Sequence, residues 1–374
     1  MRVAYYSPLP PERSGIADYS ALLLPELRRR FEVVLARPFE PPPRADVALY
    51  QLGNDPESEG WIYETLRHRR GLVVLHEVAL HSLVAGLTLG RGDRGAYLDA
   101  VEREGGKAGR RAAERALAGL EPPLWETRPE EFPLIREALE LADGVIVHSR
   151  YAEQKVRQAG YGRPVHRIAH LATPDAPLVD IRLPRAGAPV IGCLGRVNHA
   201  KRIPQLLHAF ARLRAGLPDA LLVIAGEGAG SENVRIRLEH LGLEAGEHVV
   251  LLDHVPEAQF RALNSRCDIC VSLRGPTMGE TSGAAIAALS AGTPLVVSDV
   301  GWFQELPDSV AAKVPIDEWE VDYLAAVLEL LASDQSLRRG MGQAAQTYAR
   351  TELDLGRCAE AYAAALAGSR RAET

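Results

Sequence analysis

The stretch PVIGCLGRVNHAKRIP, residues 189–204, decides the fold. Residues 189–194 are apolar throughout, with no polar alternation, which marks a strand buried on both faces in a parallel sheet covered by helices. Gly195 ends that strand, a polar loop follows, and Pro204 opens a helix at its first turn. The same grammar repeats outward. The runs RVAYY (2–6), DVALY (46–50), GLVVL (71–75) and DGVIVH (143–148) precede it or lie at its distance, each followed by a helical pattern. ALLVIA (220–225), HVVLL (248–252), DICVSL (268–273) and PLVVS (294–298) come after. Right-handed βαβ units of this kind build doubly wound α/β domains.

A length of 374 residues suits about two such domains. The segment 173–189 holds four prolines and no long periodic pattern, so it reads as the linker. Beyond Glu318 only helices are expected. Leu324, Val327, Leu328 and Leu331 form one apolar stripe, and Leu355, Cys358, Ala359, Tyr362 and Leu366 form another. Two α/β halves predict a ligand cleft between domains.

The net charge of −6 argues against a nucleic-acid partner, whose footprint is basic. Four cysteines point to a reducing compartment or to simple indifference to redox, and MRVAYYSPLP reads as strand and turn, not a secretory leader. A cytoplasmic protein is expected. The uncharged stretch 281–298 contains Gly283, Gly292 and Pro294, and so reads as helix, turn and strand, not a membrane span. Arg103, Lys107, Arg110, Arg111 and Arg115 fit either a solvated helix face or a peripheral contact with anionic lipid at the inner membrane face. The interleaved Glu102, Glu104 and Glu114 favour the solvated face.

The chemistry concentrates at strand ends. Only four of the 43 cationic residues are lysines, and one of them, Lys201, shares a loop with Arg196 before a helix start. Two cations beside a helix N-terminus make an anion site, most naturally for phosphate; two solvated surface cations are the alternative. AGEGAGS (225–231) is a glycine-rich turn at the next strand end, without the spacing of a dinucleotide fingerprint. In RGPTMGETSGAAIAALSAGTP (274–294), Thr281, Ser282 and Gly283 start a helix whose N–H groups suit a diphosphate, with Glu280 left to bind hydroxyls. Ser282 or Thr281 also suits a plain helix cap. In LHEVALH (75–81), His76 and His81 are five apart and splay on a helix, which excludes the zincin pattern. His76 is left as a polar contact or a structural histidine. Cys267 and Cys270 spell CxxC across the start of a strand, where alternation predicts opposite faces and no redox pair. No D-x-D triplet is present to hold a metal between phosphates.

Taken together these residues resemble the retaining nucleotide-sugar glycosyltransferases of family 4, with the GT-B fold. The resemblance covers nearly the whole chain and is stronger in the second half. It implies a nucleotide-diphosphate sugar as co-substrate with no further cofactor and no metal. It also implies an acceptor that is a saccharide, a lipid-linked sugar or a small molecule. The family signature G-R-x4-K matches Gly195, Arg196 and Lys201, which would hold the donor diphosphate. The following G-x-G turn matches Gly226, Glu227 and Gly228, and VVLLDHVP places the nucleobase near His254 and Val255. Gly15 matches the glycine loop facing the phosphates, His76 the histidine that approaches the transferred sugar, and Glu280 the glutamate on that sugar. Arg196, Lys201, Glu280 and His76 would thus be catalytic, and no general base is assigned. A second family glutamate, on the ribose, has Ala287 or Ala288 in its place. The resemblance sets the acceptor-side domain at 1–180 plus a returning helix at 354–374, and the donor domain at 186–353. A silent nucleotide-sugar-binding subunit and a nucleotide-sugar 2-epimerase are the alternatives.

Overall fold

The expected buried strands form, and all of them are parallel. The structure, a computed structural model, describes residues 1–172, 179–181, 183–184 and 189–369. The expected linker therefore falls largely outside the described residues, as do residues 370–374. The chain divides into two units by its contacts. One comprises Met1–Leu171, Pro276–Thr281 and Leu353–Thr374; the other comprises Ala172–Gly275 and Ser282–Glu352.

The first unit holds β1 (Arg2–Tyr6), β2 (Glu32–Leu35), β3 (Val47–Leu52), β4 (Gly71–Leu75), β5 (Ala142–Val147) and β6 (Val165–Arg167). They pair in the order β2-β1-β3-β4-β5-β6. The strands bury both faces. Along β1, Val3 and Tyr5 join one apolar cluster and Ala4 and Tyr6 another, as the two-residue strand period requires. The helix Leu355–Ser369 closes the first of these clusters with Cys358, Ala359, Tyr362, Ala365 and Leu366. Tyr362 Oη meets Tyr19 Oη at 2.7 Å, and the Cys358 thiol donates to the Ala169 carbonyl at 3.2 Å. The returning helix thus belongs to the first unit.

The second unit holds β7 (Val190–Leu194), β8 (Leu221–Ala225), β9 (Val249–Leu252), β10 (Ile269–Ser272), β11 (Leu295–Ser298) and β12 (Ala311–Val314). Their order is β12-β11-β10-β7-β8-β9. The first strand of this unit therefore sits centrally, and the connections run outward from it in both directions. In open α/β sheets that reversal leaves a crevice at the carboxyl ends of the two central strands, β7 and β10. Pro204 lies in the first turn of the helix Ile203–Gly216, where its missing N–H costs nothing. Leu206, Phe210 and Leu213 bury the inward stripe of that helix against Ile191, Leu222 and Leu324. Burying a side chain of Phe210's size contributes about 1.5–3 kcal/mol.

One sequence expectation fails here. Cys267 ends the helix Glu257–Arg266 instead of lying on the strand, so strand alternation does not separate it from Cys270. Both sulfurs face the same point. A Cβ placed on Gly192 would lie 2.5 Å from Cys267 Sγ and 3.6 Å from Cys270 Sγ. Both thiols are free and buried. The hydrogen bond that the Cys270 thiol makes toward Cys267, followed by burial, pushes that thiol well above its ordinary range.

Candidate functional site

Backbone hydrogen bonding continues past the strand ends of the second sheet and fixes its loops to one another. Gly195 N–H donates to the Ala225 carbonyl, Val197 N–H to that of Glu227 and Gly226 N–H to that of Leu252, each at 2.8 Å. Asp253 Oδ1 accepts from Gly230 N–H at 2.9 Å, tying the glycine turn to the end of β9, next to the exposed His254 and the half-buried Val255. The glycines are required by this closeness. Gly226 has φ of 144°, and a Cβ there would stand 2.4 Å from the carbonyl carbon and oxygen of Gly195. Gly195 itself has φ of 98°.

Lys201 ends a short 3-10 turn, His199–Lys201, and its side chain folds back under the loop. Its Nζ donates to the Leu194 carbonyl at 2.9 Å, and the residue is only 3% exposed. A Cβ on Gly195 would lie 3.3 Å from Lys201 Nζ and 3.3 Å from Ala284 Cβ. Lys201 and the first turn of the helix Gly283–Ala291 therefore converge on Gly195. Ser282 caps that helix, its Oγ accepting from Ala285 N–H at 3.3 Å. Gly283 is exposed, with open space where a side chain would be. A helix start of this kind presents N–H groups with no intrahelical partner and a partial positive charge. Arg196 behaves differently from Lys201. It is exposed, and its guanidinium pairs with Glu227 at 2.9 Å. The structure thus assembles Gly195, Arg196, Lys201, Gly226, Glu227, Ser282 and Gly283 around one crevice, with His254 and Val255 at the neighbouring strand end. Its lining carries two cations and an open helix start.

The other expected residues lie in the first unit. Ser14 caps the helix Gly15–Arg28 by accepting from Ile16 N–H, and Gly15 opens onto solvent. Pro276–Thr281 also folds with this unit. The Met278 carbonyl accepts from Val78 N–H at 2.8 Å and from Ala79 N–H at 3.1 Å, which docks the loop beside the segment that carries His76. Glu280 Oε2 accepts from Met278 N–H at 2.8 Å and from Thr277 Oγ1 at 3.1 Å. The carboxylate braces its own turn. Thr281, half-buried, ends this excursion.

His76 Nε2 is 2.8 Å from Gln51 Oε1, and its ring meets the Tyr19 ring edge-on at 4.8 Å. His148 and His170 complete a cluster whose ring centroids lie 5.0 to 5.4 Å apart. Burial, then the neighbouring imidazoles, hold His76 well below the usual histidine range. Burial alone carries His148 down to about 4 and, with His148 adding, His170 to about 3. These rings are uncharged at neutral pH. His148 Nδ1 bonds the Ile168 carbonyl, and its buried Nε2 has no partner among the described residues. Sequence reading missed His148 and His170, although His148 directly follows a buried strand, the same signal that singled out His76. His81 is structural: it bonds the Phe132 carbonyl at 2.7 Å and Tyr97 Oη at 2.8 Å.

Other features fall away. A cavity of about 270 Å³ lies at the amino edge of the first sheet, lined by Asp46, Arg69, Arg70 and Asp143. Its charges are satisfied internally, Arg70 by Asp143 at 2.8 Å and Arg69 by the Pro43 and Ala45 carbonyls. On the helix Arg94–Leu117, Arg103, Arg110 and Arg115 are each paired with a carboxylate. Among the described residues, no group of three or more His, Cys, Asp or Glu is placed to hold a metal ion. Nor is any described helix long and apolar enough to cross a membrane.

Comparison with known proteins agrees with this picture. Residues 180–348 match the family Glycosyl transferases group 1. The chain is 30% identical over 194 residues to a glycogen synthase of Mycobacterium tuberculosis, a match covering 51% of this chain and 45% of that protein. It is 26% identical over 363 residues to the GDP-mannose-dependent alpha-(1-6)-phosphatidylinositol monomannoside mannosyltransferase of Mycolicibacterium smegmatis, 91% of each chain. The chain thus spans about half the length of the first relative and nearly all of the second. The crystal structure of Anabaena HepE in complex with UDP and glucose superposes with a TM-score of 0.66 at 16% identity, covering 98% of this chain and 100% of that one. The likeness is one of fold, two Rossmann-like units of the GT-B type.

Proposed function

We propose, from the match of residues 180–348 to the group 1 glycosyl transferases, that the protein moves a hexose from a nucleotide-diphosphate sugar to an acceptor hydroxyl with retention of configuration and without a metal. The observation that carries this reading is the convergence of Lys201 and the Gly283–Ala291 helix start on Gly195. As the bond between the anomeric carbon and the diphosphate oxygen breaks, negative charge accumulates on the leaving group. A cation and N–H groups already in place stabilise that charge more than they stabilise the ground state. Arg196 adds a second cation by exchanging Glu227 for phosphate. The acceptor oxygen bonds to the same face of the anomeric carbon, and its proton passes to the departing diphosphate.

His76, kept neutral, contributes a hydrogen bond to the sugar, not a charge. Glu280 meets sugar hydroxyls from the turn that it also braces, and Gly15 leaves room for phosphate oxygens at a second helix start. The nucleobase rests against the backbone at His254 and Val255. The relatives named for GDP-mannose and for UDP support a nucleotide-sugar donor, and the acceptor is a saccharide, a lipid-linked sugar or a small molecule. Four free, buried cysteines fit a cytoplasmic site of action. The test is a panel of UDP- and GDP-sugars, each with and without saccharide acceptors, reading nucleotide diphosphate release in the presence of EDTA. Release stimulated by an acceptor is expected, and Glu280→Gln lowers it more than it lowers binding of the bare nucleotide. Ala287 and Ala288, both buried where the family places its second glutamate, favour a second reading as a silent binding subunit. Selective binding of one nucleotide sugar with no release would favour that second reading.

A further inference from the structure

Arg202, the residue after Lys201, has φ of 53° and ψ of 38°, the left-handed region that non-glycine residues rarely enter. Such a conformation persists only where the surroundings over-determine it. Here the surroundings are an ion pair. Arg202 Nε donates to Glu320 Oε1 at 2.5 Å, and a second guanidinium nitrogen donates to Glu320 Oε2, a two-pronged fork. The pair is shielded: the Glu320 side chain is 3% exposed and that of Arg202 is 19% exposed. Glu320 opens the helix Glu320–Ser333, where a carboxylate is also favoured by the helix dipole.

The arginine does not reach Glu320 across empty space. It passes over Gly275, where a Cβ would stand 2.9 Å from both its Cδ and its Nη1. Gly275 N–H in turn donates to the Ala200 carbonyl at 2.9 Å. One side chain therefore clamps together the turn that carries Lys201, the chain leaving β10 toward Glu280, and the start of a third element. Lys201 is bonded to the Leu194 carbonyl and has little freedom of its own, so its position depends on the turn being held.

We propose that Arg202 is a positioning residue: its fork with Glu320 locks the 195–202 loop in the form that presents Lys201 to the donor diphosphate. This rests on the donor-site reading above. The geometry departs from simple packing because the clamp acts on backbone conformation, one residue from the cation. A misplacement of about 1 Å in such a group is enough to cost up to about a hundredfold.

The test measures by calorimetry the affinity for UDP and GDP, following whichever the wild-type protein binds, in Glu320→Gln, Arg202→Gly, Lys201→Ala and the double variant Lys201→Ala with Glu320→Gln. Glu320→Gln keeps the shape and removes the charge. Arg202→Gly removes the tether but enters the left-handed region freely, so it folds without the strain that an alanine would keep. Both are expected to weaken the nucleotide about tenfold with an unchanged circular dichroism spectrum. Once Lys201 is gone, Glu320→Gln should cost less than about a further twofold, because the two act as one unit. Wild-type affinity in Arg202→Gly would overturn the tether, as would full multiplicative losses in the double variant. Loss in Lys201→Ala beside an unaffected Glu320→Gln rejects the tether alone, whereas no loss in Lys201→Ala rejects the donor-site reading beneath it.

Discussion

At the carboxyl edge of the first sheet, His76, His148 and His170 pack around Tyr19 in a buried cluster without charge. At the same edge of the second sheet, Lys201, Arg196 and an open helix start gather positive charge around a glycine. Both sheets are six-stranded and parallel, so the fold does not dictate the difference. The residues placed just past each strand do. On the proposed reading, one edge meets an uncharged sugar through hydrogen bonds and ring faces, and the other meets an anion. Function is grafted onto strand ends, and two similar scaffolds in one chain have received opposite grafts.

That contrast can be broken most directly at Lys201. Lys201→Ala should lower nucleotide diphosphate affinity by about 2–5 kcal/mol, as truncation of a desolvated phosphate partner does. Titration calorimetry reads this, and an unchanged affinity would leave the second edge without its distinguishing charge. Next in size is Gly226→Ala, which sets a methyl group against the Gly195 backbone in a disfavoured φ region. A loss of about 2–4 kcal/mol in chemical denaturation is expected, with unfolding that begins in the second unit.

The smallest effect sharpens the other side. The clustered imidazoles bind protons more weakly in the folded chain than in the unfolded one, where their pKa is near 6.5. Folding stability therefore falls as the pH drops below 6.5, and it keeps falling until about 4 for His148 and about 3 for His170. Each ring kept neutral loses about 2 kcal/mol of stability between pH 7 and pH 5. His148→Asn retains a donor toward the Ile168 carbonyl and removes one titrating ring, so its Tm should fall less steeply across that interval. An equally steep fall would mean that His148 is not a source of the acid sensitivity.

Nine of the twelve strands were legible as unbroken apolar runs, and the three that were not explain themselves. β2, β6 and β12 are all edge strands, half-exposed and short, so they carry Glu32, His166 and Lys313 where a central strand would be apolar. The convergence at Gly195 was legible too, because Gly195, Arg196 and Lys201 lie within one loop and the Gly283–Ala291 helix begins at a recognisable cap. What sequence could not show was the pairing of distant residues. Glu320 lies 118 positions from Arg202, and no local pattern marks either as the other's partner. CxxC misled for a related reason. The strand period was applied two residues too early, to Cys267, which caps the end of a helix before the strand begins at Ile269.

Tyr19 and Tyr362 share a hydrogen bond across 343 positions of chain, and the helix that carries Tyr362 completes the cluster around Val3 and Tyr5. A ribosome adding roughly 5–20 residues per second takes on the order of 20–70 seconds to pass from one tyrosine to the other. Throughout that interval the first sheet, although made first, shows a bare apolar face. The earliest part of the chain to be synthesised is thus among the last to be finished, and holdase chaperones have that long to find it.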